Sequence, residues 1–181
     1  MAEPSQEMSE LISNQNRTFH LALPDVKRIT DARKYISESK SFNGSVEKAT
    51  EFIAAQEKQC QDVIQLLKEQ VHTKLDALHQ VKEDLLELQR QLAQPNVSES
   101  TKVLVKFTDE TEMNECEVPD ALARYSLKMS ALYGEILGLD SDVDYVTYLA
   151  SVARVNKEFI QEWYKREKLN KANSKIPMIR I

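Results

Sequence analysis

The feature that most constrains this chain is a heptad repeat whose spacing runs without a slip from Val46 to Leu92. Its positions recur at alternating gaps of four and three, and from Cys60 to Leu92 nine of ten are apolar, while Thr50 and Glu57 occupy two earlier positions. This spacing keeps one stripe facing a neighbouring helix in a left-handed supercoil. At 1.5 Å per residue, a helix over this segment would be about 70 Å long. We call the stripe the heptad seam, and its predicted partner-binding residues are Ile53, Cys60, Ile64, Leu67, Val71, Leu78, Val81, Leu85, Leu88 and Leu92.

A single helix of this kind would leave its stripe in water, so another helix has to cover it. Val63, Leu75 and Ala77 widen the stripe, which favours a bundle of three or four helices over a plain pair. The flanking polar residues are mostly Gln and Lys, a set that suits a partner with acidic flanks better than a parallel copy of itself. The sequence therefore favours a hetero-oligomer with other coiled-coil subunits over a homodimer.

Lys74 is the only polar residue of the heptad seam between Cys60 and Leu92. Two interpretations are open. A long lysine side chain can carry its charge to solvent while its stem stays on apolar surface. A single polar residue in a seam can also fix register and partner choice, at some cost in stability.

The whole chain is predicted to adopt an all-α fold, elongated, with a long central coiled-coil helix and short flanking helices. Only 3 Gly and 5 Pro occur among 181 residues, and 29% of the residues are charged, which favours long helices. Four segments follow: 1–45, an N-terminal head of two short helices; 46–94, the coiled-coil helix; 95–119, an acidic linker with a short strand-like run; and 120–181, a C-terminal helical pair with a basic tail.

Local signals place the ends of the flanking helices. Pro24 is predicted to open the second helix of the head, and Asn43-Gly44 to form the turn after it. Gly138 is predicted to end the first helix of the C-terminal pair. The strand-like run at 102–107 is expected either to join a sheet edge of another chain or to lie extended along the bundle.

The C-terminal tail combines a basic stretch with an apolar end. Pro177 prevents the last residues from continuing a helix. Such a segment can dock on a partner's groove or sheet edge, steered by the preceding cations, or it can seal the end of this protein's own bundle. Both interpretations are open for the candidate docking residues, which are Ile176, Met178, Ile179 and Ile181.

Aromatic residues near the end of the chain separate into two groups by helical spacing. Trp163 shares a periodic face with Phe159 and Leu149, which predicts a place in the core. Tyr148 and Tyr164 lie off that face. They are the better candidates for an interface, because an aromatic ring with a polar end suits a surface that a partner covers.

Motifs for catalysis or metal binding are incomplete. The three aspartates within 140–144 imitate the start of a calcium loop, but Tyr145 and Ser151 stand where that loop needs glycine and glutamate. His72 and His79 are about 10 Å apart along a helix, too far to share a metal ion. We therefore predict no catalytic residue, no metal site and no bound cofactor.

Charge and hydropathy bear on partners and location. The net charge of −5 argues against direct nucleic-acid binding, and no apolar run approaches the roughly 20 residues that cross a bilayer. Two cysteines are too few for a disulfide framework, and the N-terminus lacks a secretory pattern. These features predict an intracellular protein, nuclear or cytoplasmic, without membrane insertion.

The favoured functional interpretation is a non-catalytic scaffolding subunit of an intracellular multiprotein complex that assembles through a coiled coil. The layout is similar to that of small helical subunits of kinetochore and spindle complexes, which suggests a role in chromosome segregation and cell division. The alternatives are a subunit of a vesicle-tethering or trafficking complex, and a compact homo-oligomeric helical adaptor. In the adaptor, residues 120–181 would fold back on residues 46–92.

Overall fold

The computed structural model describes residues 13–107 and 110–175. The chain is mostly helical, which confirms the predicted all-α class, and it adds a small antiparallel sheet. The first helix, α1, is described over 13–20. The elements that follow are α2 (Ala32–Glu38), α3 (Val46–Leu92), β1 (Lys102–Val105), β2 (Asn114–Glu117) and α4 (Val118–Asn173).

Helix α3 coincides with the predicted heptad helix. Before it, Asn43 and Gly44 have φ angles of 47° and 72°, as the predicted turn requires. The Ser45 hydroxyl then accepts a hydrogen bond from the backbone N–H of Lys48 at 3.3 Å, which satisfies one of the free donors at the start of the helix. The heptad pattern and these local signals therefore determine both the extent of α3 and where it begins.

The chain divides into two compact units, and the division falls inside both long helices. The terminal unit consists of Met1–Gln65 together with Asp144–Ile181, and the middle unit is Leu66–Val143. Each unit thus contains one part of α3, one part of α4 and a further segment that packs on them.

In the middle unit, α3 and α4 run antiparallel. Lys74 of the heptad seam forms an ion pair with Glu135 of α4. Farther along α3, Asp84 lies close to Tyr125, which is nearer the start of α4; burial and this carboxylate both raise the pKa of Tyr125. The buried core of this unit contains Leu78, Val81, Leu88, Val105, Phe107, Cys116, Ala121, Tyr125, Leu132 and Ile136.

Strands β1 and β2 pair with each other, in a register that places Val103 opposite Cys116. Val105 and Phe107 are buried in the core of the middle unit, and the Phe107 ring meets the Tyr125 ring edge-on at 5.5 Å. The strand-like run at 102–107 therefore finds its strand partner within the chain, so the predicted pairing with another chain's sheet edge is wrong, while the run does lie extended against α3 and α4. The physical reason is β2, whose alternating side chains supply an apolar residue to the core from a segment predicted to be solvated linker.

In the terminal unit, the second helix of the head begins later than predicted. Pro24 lies in a non-helical segment, residues 21–31, which starts with a turn at Leu21 and Ala22 and which we call the strap. Helix α2 starts only after Asp31, whose side chain accepts the backbone N–H of Lys34 at 3.0 Å. A carboxylate cap outweighs the preference of proline for a first helical position, because the cap satisfies a donor that proline does not.

The core of the terminal unit joins α2, α3 and α4 with the end of the strap. Its buried residues are Ile29, Ala32, Ile36, Phe42, Ala49, Ile53, Ala153 and Ile160.

Helix α4 is one continuous helix where the sequence predicts two. Gly138 lies in its interior and does not end it. A glycine inside a helix costs about 1 kcal/mol relative to alanine. Burial of apolar residues on either side, such as Leu132 and Ile136 before it and Val146 after it, stabilises the helix by more than that cost.

Candidate protein-interaction surface

The part of α4 in the terminal unit carries two apolar rows that are offset by one residue. Both rows repeat at gaps of three and four, so each presents a stripe along the helix. The inner row consists of Val146, Leu149, Ala153, Asn156 and Ile160, all of them buried. The outer row consists of Tyr145, Tyr148, Val152, Val155 and Phe159, all of them exposed or half-buried.

Asn156, the polar member of the inner row, fixes the strap. Its side-chain carbonyl accepts the backbone N–H of Ile29 at 2.9 Å, and its amide donates to the backbone carbonyl of Lys27 at 2.8 Å. The side chain is almost fully buried, with 2% of the residue exposed. Because a buried amide is costly unless its donor and acceptor are satisfied, this pair of bonds sets where the strap lies against α4.

Two members of the outer row are partly covered by cations from the N-terminal segment. The Arg17 guanidinium lies 5.9 Å from the centre of the Tyr145 ring, and the Arg28 guanidinium lies 5.9 Å from the centre of the Phe159 ring. The Tyr145 hydroxyl is also within hydrogen-bond distance, 3.0 Å, of the Thr18 hydroxyl. The two rings at opposite ends of the row therefore each have a cation beside them.

The middle of the outer row is open. Tyr148 is 63% exposed and Val155 is 38% exposed, and the half-buried Val152 lies between them. On the α1 side, Phe19 is 91% exposed and faces the same groove as Tyr148, which has a volume of about 900 Å³. A second, smaller hollow of about 380 Å³ borders Val155. Large apolar side chains gathered beside grooves in this way mark a surface that another molecule can cover.

Charges are arranged unequally along this part of α4. Asp144, immediately before the outer row, is exposed. Glu158 and Glu162 follow the middle of the row, and Glu162 pairs with Lys165 at 3.6 Å. The helix then ends with a cluster of exposed cations: Lys165, Arg166, Lys168 and Lys171. The surface is therefore acidic at its start and basic at its end.

The heptad seam lies inside the chain in this structure, and the helix that covers it is the chain's own α4. Six of the predicted partner-binding residues are fully buried, namely Ile53, Cys60, Leu67, Leu78, Val81 and Leu88. The other four are half-buried, namely Ile64, Val71, Leu85 and Leu92. The fold-back of 120–181 on 46–92, considered for the compact adaptor, is the arrangement that the structure contains.

Tyr148 and Tyr164, the predicted interface candidates, lie off the core face of α4, as helical spacing predicts. Tyr148 and Tyr164 are both exposed, and Lys168 lies over the Tyr164 ring at 4.5 Å. Trp163 is half-buried against the core of the terminal unit. Val152 and Val155 join Tyr148 in a separate row that was not predicted, although the spacing of four and three residues between them is visible in the sequence.

Two further features bear on site chemistry. Burial, with a smaller effect from Glu57, raises the pKa of the Cys60 thiol, so this cysteine stays protonated and unreactive near neutral pH. Within residues 13–107 and 110–175, the structure contains no group of three or more His, Cys, Asp or Glu side chains placed to hold a metal ion.

The candidate docking residues Ile176, Met178, Ile179 and Ile181 lie outside the described residues.

None of the described helices combines the length and the apolar character needed to cross a membrane. No family model, curated protein or solved structure matches this chain.

Proposed function

We propose that this protein is a non-catalytic assembly subunit that joins a protein complex through a helix laid against the outer row of α4. The observation that carries the proposal is the outer row itself. Tyr148, Val152 and Val155 form a continuous stripe at coiled-coil spacing that the chain's own core leaves open. The heptad seam does not offer a comparable surface, because α4 already covers it.

The form of the surface suits a helical partner. Its apolar positions recur at gaps of three and four, the spacing at which one helix presents anchor side chains to a facing helix. The row lies on the continuous helix α4, so the backbone positions of its residues are already set before a partner binds. A surface ordered before binding costs less ordering free energy when the partner arrives.

The proposal is tested by asking whether the native assembly loses a subunit when the outer row is altered. A tagged chain is expressed in its own cells, chemically cross-linked, and captured, and every stoichiometric subunit, including an untagged copy of the chain, is quantified. The variant Tyr148→Glu with Val155→Lys should release at least one stoichiometric subunit. Its matched control is Thr147→Glu with Gln161→Lys, which places the same charges on exposed polar positions of the same helix.

Melting followed by circular dichroism establishes that both variants keep the fold. If the outer-row variant is folded and retains all its stoichiometric subunits, the proposal is wrong. The setting in chromosome segregation and the vesicle-tethering alternative both remain predictions, and the identity of the released subunit decides between them.

A further inference from the structure

The outer row of α4 has a property that narrows the choice of partner. Its heptad spacing continues past Phe159 through Glu162 and Arg166 to Leu169, which is itself exposed. The stripe therefore changes from apolar in its first part to charged in its second part. A partner helix must present apolar residues opposite the first part and complementary charges opposite the second.

A second copy of the same helix meets this requirement when it runs antiparallel. If Val152 of each copy faces Val155 of the other, then Tyr148 faces Phe159 of the second copy on the next layer outward. One layer farther, Tyr145 faces Glu162 of the second copy. Arg17 already lies over the Tyr145 ring, so that carboxylate would approach a cation.

The flanking charges favour the same arrangement. In the antiparallel pair, exposed Asp144 at the start of the row faces exposed Lys165 of the second copy, and this contact occurs twice. In a parallel pair, by contrast, Asp144 would face Leu149 of the second copy and no cation, and the cations at 165–171 of the two copies would lie side by side, which is repulsive. The opposite charges at the two ends of the row thus complement each other only when the copies are antiparallel.

We propose that the outer row of α4 binds a second copy of this chain in an antiparallel, two-fold symmetric helix pair. The contact is isologous, so each residue pair across it appears twice. This inference rests on the proposed function, because it names the partner of the same surface. A hydrophobic centre at Val152 and Val155 supplies the attraction, and the pair of Asp144 with Lys165 sets the direction.

Sedimentation of the purified full chain tests the inference directly. One chain has a mass of 20.8 kDa, and we expect a species of twice that mass which dissociates on dilution. Val155→Glu should weaken the dimer by about a hundredfold or more, since it buries a carboxylate opposite an apolar residue. Tyr148→Glu, at a more exposed position, provides a second disruption that leaves the core of the chain untouched.

Charge exchange tests the direction of the pair. Asp144→Lys should weaken the dimer by about 3- to 30-fold, because two exposed ion pairs become repulsive. Combining Asp144→Lys with Lys165→Asp should restore the affinity, since each new lysine then faces an aspartate of the second copy. A parallel pair would respond differently: the single variant would leave the affinity unchanged, and the double variant would restore nothing.

Three results would overturn the inference. The first is a chain that stays monomeric even when its concentration is raised 100-fold. The others are a dimer that Val155→Glu and Tyr148→Glu leave intact, and a dimer whose affinity does not change with the charge exchange. Its failure is distinguishable from failure of the proposed function. If the purified chain is a monomer but the outer-row variant still releases a different stoichiometric subunit from cells, the surface binds another protein and only the identity of the partner is wrong.

Discussion

The two units hold a third segment on the same pair of helices by different means. In the middle unit, Val105 of β1, Cys116 of β2 and Phe107, which follows β1, insert apolar side chains into the core. In the terminal unit, the strap buries Leu23 and Ile29, but it is also bound by side chains of α3 and α4 that reach its backbone. Asn156 makes two of these hydrogen bonds, and Gln56 and Gln59 of α3 donate to further strap carbonyls at 3.3 and 2.8 Å.

This difference has a physical consequence. Apolar attachment depends on buried area and is not directional, so it tolerates small changes of position. Hydrogen-bonded attachment depends on each donor and acceptor staying in register, and it fails when one buried partner is removed. We therefore expect the attachment of the sheet in the middle unit to depend on the apolar volume it buries. The attachment of the strap should depend on a few polar atoms in addition to its buried Leu23 and Ile29.

The largest effect is expected for Phe107→Ala in the middle unit. This change removes a buried ring that contacts Tyr125 and leaves a cavity, so the free energy of unfolding should fall by about 3–5 kcal/mol. Chemical denaturation measures the loss. Leu104→Ala, on the exposed face of β1, is the control and should cost less than about 0.5 kcal/mol. Equal losses would show that the sheet does not attach through its apolar face.

A smaller effect is expected for Asn156→Leu in the terminal unit. Leucine fits a buried position but leaves the N–H of Ile29 and the carbonyl of Lys27 without their partner, at a cost of about 1–3 kcal/mol. Hydrogen exchange of the Ile29 amide should accelerate more than exchange in the core of α3. Asn170→Leu, an exposed position of α4, is the control. An unchanged exchange rate at Ile29 would mean that Asn156 does not hold the strap.

The smallest effect is a stabilisation, expected for Ala22→Gly at the start of the strap. Ala22 has a φ angle of 51°, in the left-handed region, and follows α1 where Leu23 donates its N–H to the Thr18 carbonyl at 2.9 Å. Glycine adopts this conformation without the steric cost that alanine bears, so the free energy of unfolding should rise by up to about 1 kcal/mol, and the melting midpoint with it. Ala123→Gly, inside α4, should instead lower it. A lower midpoint for both would contradict the expected relief of strain.

The sequence by itself determined the local features of this protein. The heptad spacing from Val46 to Leu92 determined α3, because a repeat of this length is specified by residues a few positions apart. The Asn43-Gly44 turn and the exposure of Tyr148 were predictable for the same reason: each follows from side chains within one or two helical turns. The presence of apolar residues at 152 and 155 was equally visible, although their separation into a second row was not recognised.

Only the tertiary structure decided which surfaces meet. The heptad seam carries no information about whether its covering helix belongs to the same chain, because another chain's helix could satisfy the same stripe. The pairing of β1 with β2, and the strap position set by Asn156, join residues far apart in sequence, and no local propensity specifies such contacts. Gly138 shows the same principle: its preference for a helix end is about 1 kcal/mol, and the burial of α4 on either side outweighs it.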